Sequence, residues 1–355
     1  MTITISTKSL QAMADKLNKC STNKLLEITK YWHLVVSDTG FEITAMDGSN
    51  YITVKDASVK GKMDVIVRAD QFGKLIDKTS VDKVVLELKD NYLRVVGNGD
   101  YKVEIVLGET YPFYEVPDEV KTLEAETAGL KKINTYNKSA VSTTLADGYL
   151  TGYYVDGSEA VTSDSIKICI NPVEVFEDEV LLTAEMMNLA TALTGEKFTI
   201  KMWDNKIILE DSTTVIYGAQ LDGMEEYPEI DAFAEQEFPS NVKLSKLGIT
   251  AILDRLTLFL DSFDKSEIVL EFTEKTLKIS TGKGSFEEIA YAEANNVEPF
   301  VCNINVVYFK DIVSAVQNEY FYLHFGDETM IEVVDGDVMF ILATGEMEEG
   351  EEQWR

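Results

Sequence analysis

The chain has 355 residues, 45% of them hydrophobic and 26% charged, so it is too long for one ordinary core and belongs with folded rather than disordered proteins. Three widely spaced cysteines, Cys20, Cys169 and Cys302, form no CxxC pair; they argue against a disulfide framework or a zinc site and point to a reducing, cytoplasmic compartment, each as a small buried apolar residue. A formal charge of −30 argues against a nucleic-acid binder of the ordinary kind, because phosphate contacts need lysine and arginine.

In chain order, the opening Thr2-Ile3-Thr4-Ile5-Ser6 alternates and has neither a basic leader nor a long apolar core, so it reads as a first strand and not a signal peptide. No stretch of eighteen apolar residues occurs, so no membrane span is expected. A helix is expected over 7–19, followed by two or three strands. Then come a strand at Val65-Ile66-Val67, a helix over 69–77 and strands over 83–88, 92–96 and 101–107. The phrase returns with a helix over 130–141, further strands, Val180-Leu181-Leu182, a helix over 184–193 and strands over 197–202, 206–210 and 213–221. It returns again with a helix over 244–261, strands, a strand at 300–302, a helix over 305–317 and strands over 320–325, 329–334 and 337–343.

Two landmarks test this register. Val65 to Val180 is 115 positions and Asp90 to Asp204 is 114, while Val65 to Val301 is 236 and Asp90 to Asp327 is 237. Landmarks that advance together mark a true repeat. The expected fold class is α+β: three tandem copies of one domain, over 1–118, 119–238 and 239–355, with helices on one side and antiparallel sheets on the other. Tyr111-Pro112 and Tyr227-Pro228 close the first two copies, and acidic linker follows each. Asp47-Gly48, Asn98-Gly99, Asp156-Gly157 and Asp335-Gly336 are expected to supply the positive φ of tight hairpins.

Sorting the charge by segment changes its meaning. The six expected helices and their ends carry twelve Lys or Arg against seven acids, a net of +5, which leaves −35 on the rest. A mildly basic helix face on an acidic body tolerates a polyanion beside it without gripping it. The densest basic helix holds Lys131, Lys132 and Lys138, which are expected nearest a duplex. Of the two histidines, His33 and His324, each falls in a strand pattern and reads as a surface strand residue. No GxSxG, Walker A, GxGxxG, HExxH or EF-hand loop appears, so no active site, metal or cofactor is nominated. The chain reads as a binding scaffold and not an enzyme.

Ala45-Met46-Asp47-Gly48, Tyr111-Pro112, Tyr149-Leu150-Thr151-Gly152, Val161-Thr162-Ser163-Asp164, Leu221-Asp222-Gly223 and Tyr227-Pro228 occur in that order along the three repeats. This set resembles the β sliding clamp of bacterial DNA polymerase III, as a divergent member of cellular or viral origin. The resemblance implies a homodimer, paired head to tail into a ring that encircles double-stranded DNA by topology, helices lining the hole. It implies a groove of Leu150, Ser163, Ile168, Pro228, Phe340 and Leu342 that receives short motifs from a DNA polymerase and the clamp loader. It also places Tyr101 opposite Ile252 and Leu253 at the dimer interface, and adds Lys24 and Tyr149 near the DNA. Two departures stand out. The family's Thr-Asp-Gly-His-Arg is replaced by Ser163-Asp164-Ser165-Ile166-Lys167, and the usual short end is replaced by an acidic tail. The rival reading is an acidic interaction scaffold or DNA mimic that does not encircle DNA.

Overall fold

The computed structural model describes residues 2–107, 110–228, 230–260, 266–327 and 329–345. The acidic tail 346–355, Asp261 at the expected end of the 244–261 helix, Glu229 in the second linker and Glu328 in a third-repeat turn lie outside the described residues.

In the first repeat, β1 (Thr2–Ser6) runs into α1 (Thr7–Leu17), then β2 (Tyr31–Val36), β3 (Phe41–Met46), β4 (Tyr51–Asp56) and β5 (Met63–Arg68). Helix α2 (Ala69–Asp77) follows, then β6 (Lys83–Leu88), β7 (Tyr92–Val96) and β8 (Asp100–Val106). The second repeat has β9 (Lys121–Glu126), α3 (Thr127–Tyr136), β10 (Gly152–Val155), β11 (Glu159–Ser163), β12 (Lys167–Pro172) and β13 (Val180–Thr183). Its second half is α4 (Ala184–Ala190), β14 (Lys197–Trp203), β15 (Lys206–Glu210) and β16 (Thr214–Ala219). A short α5 (Asp231–Ala234) precedes β17 (Ser240–Ser245), α6 (Lys246–Leu256), β18 (Glu267–Phe272), β19 (Thr276–Thr281), β20 (Phe286–Ala290) and β21 (Glu293–Asn295). The chain then forms β22 (Phe300–Asn305), α7 (Val306–Ala315), β23 (Tyr320–Phe325), β24 (Met330–Asp335) and β25 (Val338–Ala343).

The strand order repeats three times. One four-strand block is β1-β6-β7-β8, then β9-β14-β15-β16, then β17-β23-β24-β25; the other is β5-β2-β3-β4, then β13-β10-β11-β12, then β22-β18-β19-β20. The same local closure recurs as well, with Val67 facing Ile105, Leu182 facing Gln220 and Asn303 facing Gly345. Neighbouring repeats join edge to edge. β4 pairs with β16, Tyr51 opposite Tyr217, and β12 pairs with β25, Ile168 opposite Ile341. These ladders fuse the blocks into a twelve-stranded and a nine-stranded sheet, and leave β20 at the free edge of a four-stranded one. For that reason the two compact units, Met1–Lys131 with Leu182–Leu221 and Lys132–Leu181 with Asp222–Arg355, do not follow the repeat boundaries.

Local chemistry explains the elements. β1 alternates exposed and buried residues along its length, and α1 buries Leu10, Met13, Ala14 and Leu17, a stripe at three- and four-residue spacing. Each fully buried leucine contributes ~1.5–3 kcal/mol. Hydroxyl and amide caps start the later helices: Thr183 accepts from the Met186 N–H, Ser245 from Gly248 and Asn305 from Val307. The Ser245 cap sets the start of α6 at Lys246, so Leu244 belongs to β17 and not to the helix expected from 244. Gly48 (φ 110°) and Gly336 (φ 68°) take positive φ as expected, whereas Gly99 and Gly157 are not among the positive-φ glycines. At the latter turn the Asp156 carboxylate instead accepts from the N–H groups of Ser158 and Glu159. Cys169 and Cys302 are buried and Cys20 is half-buried, all three free.

His33 is not a surface residue. It is 7% exposed, its Nε2 lies 2.7 Å from Asp64 Oδ1 on the paired strand, and its ring stacks on Tyr111 at 5.3 Å. The alternation that predicts a wet face fails here because the segment at Tyr111 and Phe113 covers it. His324 is partly exposed and pairs with Glu332 across β23 and β24.

Candidate functional site

A groove of about 400 Å³ lies wholly within the second unit. Leu150 comes from a 3-10 turn at Leu145–Thr151, Ser163, Ser165, Ile166 and Ile168 from the β11–β12 hairpin, and Pro228, Ile230 and Phe233 from the linker. Thr329 and Met330 at the start of β24, with Ile341 and Ala343 of β25, complete it. The hairpin is shaped by Asp164, whose Oδ1 accepts from the N–H groups of Ile166 and Lys167, and by Ser165 at φ 73°. Below the groove Val161, Ile170, Ile230 and Ile341 form a buried cluster. Tyr227 braces it by stacking on Tyr154 at 5.2 Å and donating to the Val161 carbonyl at 3.2 Å. Burial pushes the Tyr227 hydroxyl pKa well up, so it stays a donor at all ordinary pH. Among the described residues no charged side chain lines the groove. It selects by shape and apolar contact, as a seat for a short apolar peptide does.

Strand alternation corrects two expected members. Phe340 and Leu342 are fully buried and point into the core with Leu323 and Val333, while their neighbours Ile341 and Ala343 face the groove. A one-residue shift along a strand reverses the face, and the residues alone do not reveal which parity the β12–β25 ladder adopts. The same alternation turns Lys167 away from Ile166 and Ile168. Its ammonium is buried 3.1 Å from Asp311 and 3.4 Å from Asp164, over the ring of Tyr308. Lys167 therefore contributes no charge to this groove.

The helix cations are mostly engaged. Lys16 donates to the hydroxyls of Thr194, Thr213 and Thr214, and Lys19 to that of Thr191. Lys132 reaches Asp337 at 2.9 Å and the Pro172 carbonyl, Arg255 reaches Glu287, Lys243 reaches Glu293, and Lys310 reaches Asp254. Three of these acids, Asp337, Glu287 and Glu293, lie outside the helices, so three of the five net positive charges are neutralised locally. Lys131 is exposed and has interactions of its own. Lys24 and Lys138 are exposed with no ion pair among the described residues, and Tyr149 is half-buried with its ring 6.2 Å from Tyr227. A second cavity of about 580 Å³, lined by Lys138, Lys167 and the hydroxyls of Ser139, Ser142 and Thr143, also holds three aspartates, so it has no net attraction for an anion. Among the described residues no cluster of three His, Cys, Asp or Glu could hold a metal, and no helix is long and apolar enough to cross a membrane.

No protein-family model matches this sequence, and no curated protein does. Solved structures match over nearly the whole chain. The DNA polymerase sliding clamp from Bacillus subtilis aligns with a TM-score of 0.84 at 16% identity, covering 98% of this chain and 99% of that one. The DNA polymerase III β subunit from Thermotoga maritima gives 0.85 at 18%, covering 98% and 99%, and the β subunit from the DNA polymerase of Streptococcus pyogenes gives 0.86 at 16%, covering 98% and 100%. The chain has the sliding-clamp fold.

On the clamp fold, the residues expected at a chain–chain interface divide. Tyr101 is 39% exposed on β8. Ile252 and Leu253 are buried at 4% and 0%, packed with Ile249, Leu256 and Val242 of their own chain. They belong to the inward stripe of α6, whose three- and four-residue spacing is that of any core-facing helix. The exposed apolar residues nearby are Leu258 (79%) and Phe259 (56%), on the 3-10 turn that follows α6, and Phe286 (56%) on the edge strand β20. For Leu258 and Phe259 the signal in the sequence is an apolar run that continues past the helix stripe.

Proposed function

We propose that the chain is a DNA sliding clamp: two copies, each with domains over 1–118, 119–238 and 239–355, close head to tail into a ring around duplex DNA. The groove then tethers a DNA polymerase and its loader through short apolar motifs, and the clamp does this in the cytoplasm without catalysing a reaction. The fold is shared with proteins described as DNA polymerase sliding clamps and β subunits, which supports the reading.

The observation that carries it is a junction left unmade. Two ladders, β4–β16 and β12–β25, join successive repeats, and the strands equivalent to their members are β20 and β8. β20 lies at a sheet edge, and among the described residues Asp100–Glu104 of β8 pairs only with β7. The register of a β20–β8 ladder between chains follows from the repeat. The last cross-strand pairs before three equivalent hairpin turns are Met46 with Tyr51, Ser163 with Ile168 and Ser280 with Phe286, so Phe286 stands where Tyr51 and Ile168 do. Ile105 and Gln220 face equivalent strands, and Thr344 precedes Gly345, which faces Asn303. Three residues before them lie Lys102, Tyr217 and Ile341. Tyr51 faces Tyr217 and Ile168 faces Ile341, so Phe286 of one chain is expected opposite Lys102 of the other, and Glu287 opposite Tyr101. A two-fold ring uses this contact twice and removes both open edges.

The test loads the protein onto nicked circular DNA with its loader, washes in high salt and then linearises the circle. Retention through the wash and release on linearisation is the expected result. Loss in the wash, or retention on linear DNA, overturns the topological reading.

A further inference from the structure

In the first two repeats the helix that follows the opening strand reaches into the next repeat from its tenth residue. Helices α1, α3 and α6 each start at the residue after that strand and bury their fourth and seventh residues, so Lys16, Tyr136 and Arg255 are equivalent. Lys16 donates to the hydroxyls of Thr213 at 3.1 Å and Thr214 at 2.8 Å, at the turn between β15 and β16. Tyr136 donates to Asp335 Oδ2 at 3.0 Å, at the turn between β24 and β25.

Each of these turns also ties down the loop behind its own repeat's second helix. Asp211 accepts from the N–H groups of Thr194 and Gly195, and Asp335 from those of Gln317 and Asn318. In the first repeat that task falls to Asn98, between β7 and β8, whose Oδ1 accepts from the Ser80 N–H at 2.8 Å. The Asn98 turn is therefore the third member of the set, as Arg255 is of the helix set. Arg255 turns to its own repeat instead, where Nε and Nη2 donate to the two carboxylate oxygens of Glu287 on β20, at 2.8 and 2.5 Å. Its side chain is 55% exposed, and among the described residues Nη1 donates no hydrogen bond.

We propose that Arg255 is a chain–chain contact, its guanidinium bridging Glu287 of its own chain and the Asn98 turn of a second copy. The proposal rests on the head-to-tail pairing above. Two placements agree on it. The helix equivalence brings Arg255 to the β7–β8 turn, and the ladder register sets Glu287 opposite Tyr101, three residues past Asn98. Asn98 is exposed, its Oδ1 has a second lone pair, and Gly97 and Gly99 beside it carry no side chain that would block the approach. Arginine suits the place because its planar fork can hold a carboxylate with one edge and a second acceptor with the other. The other two turns carry an aspartate where this one carries a neutral amide. The contact between chains is thereby weaker than those within a chain, which suits a junction that opens to admit DNA.

Sedimentation of the full chain over a dilution series tests this. Asn98→Asp keeps an acceptor for the Ser80 N–H, as Asp211 does for Thr194, and is expected to lower the dimer dissociation constant about tenfold, since a two-fold ring carries the contact twice. Arg255→Ala is expected to raise it about tenfold, and Asn98→Asp added to Arg255→Ala is expected to bring no gain. Reversing the pair is the second test: Arg255→Glu is expected to weaken the dimer and Asn98→Lys added to it to restore it. An effect of Asn98→Asp that is the same with and without Arg255, together with no rescue in the reversed pair, overturns the contact and leaves the head-to-tail reading standing. A wild type that stays monomeric at every concentration overturns the pairing itself, and the contact with it.

Discussion

Ile341 and Leu342 are neighbours with opposite tasks, and the difference is measurable. Ile341→Ala removes a groove wall and is expected to weaken the peptide of a cognate polymerase by ~1–3 kcal/mol in a binding titration, while the melting temperature moves little. Leu342→Ala empties a fully buried site among core residues and is expected to cost ~2–5 kcal/mol of stability in urea unfolding. Asp211 is a second residue whose environment decides its role. Burial alone would raise its pKa, but the N–H groups of Gly195, Thr194 and Thr213 and the Thr213 hydroxyl outweigh that and hold it below the ordinary 3.8. A depressed carboxylate pKa stabilises the fold above the unfolded value and loses that stability as pH falls through the folded one. Asp211→Ala is therefore expected to destabilise by ~1–3 kcal/mol at neutral pH, with the gap to wild type closing below pH 3.8 in unfolding titrations. The resemblance nominates Leu150, Ser163, Ile168 and Pro228, and the structure brings them together; Ile166, Phe233 and Met330 join them only through the tertiary fold, because which side chains line a groove depends on how its segments pack.

At the level of elements, the repeat makes β20 and β8 the informative pair. Phe286→Asp puts a charge on the open edge without touching the core, and light scattering is expected to show the particle mass halved, from dimer to monomer, while far-UV circular dichroism is unchanged. Ile252→Asp buries an unpaired carboxylate in α6 and is expected to unfold the third repeat instead, lowering the melting temperature by many degrees. The expected helices were recovered within a few residues because their apolar stripes are local. Their ends were not, because a cap such as Ser245 depends on a single hydroxyl and the strand before it continues the same apolar run.

For the whole molecule, charge placement matters more than total charge. With −30 overall and the helix cations largely paired, direct affinity for linear duplex is expected to be weak and to fall steeply between low and physiological salt in fluorescence anisotropy. Lys24→Glu with Lys138→Glu is expected to slow loading, since these cations have no ion pair among the described residues, while dimer mass and peptide affinity stay unchanged. Lys132→Glu acts differently: it sets a glutamate against Asp337 and is expected to lower stability as well.

The sequence by itself determined the threefold repeat, the α+β class, the strand and helix order and the lack of any recognised catalytic motif. These rest on periodicity and turn chemistry, which act over a few residues and survive without knowledge of neighbours. Only the tertiary structure decided which face of β25 meets the groove, that His33 lies beneath the segment at Tyr111, that Ile252 and Leu253 serve the core, and which lysines are already paired. Each of those depends on register between segments far apart in the chain. Strand parity has a period of only two residues, so the smallest error in register exchanges a binding face for a core.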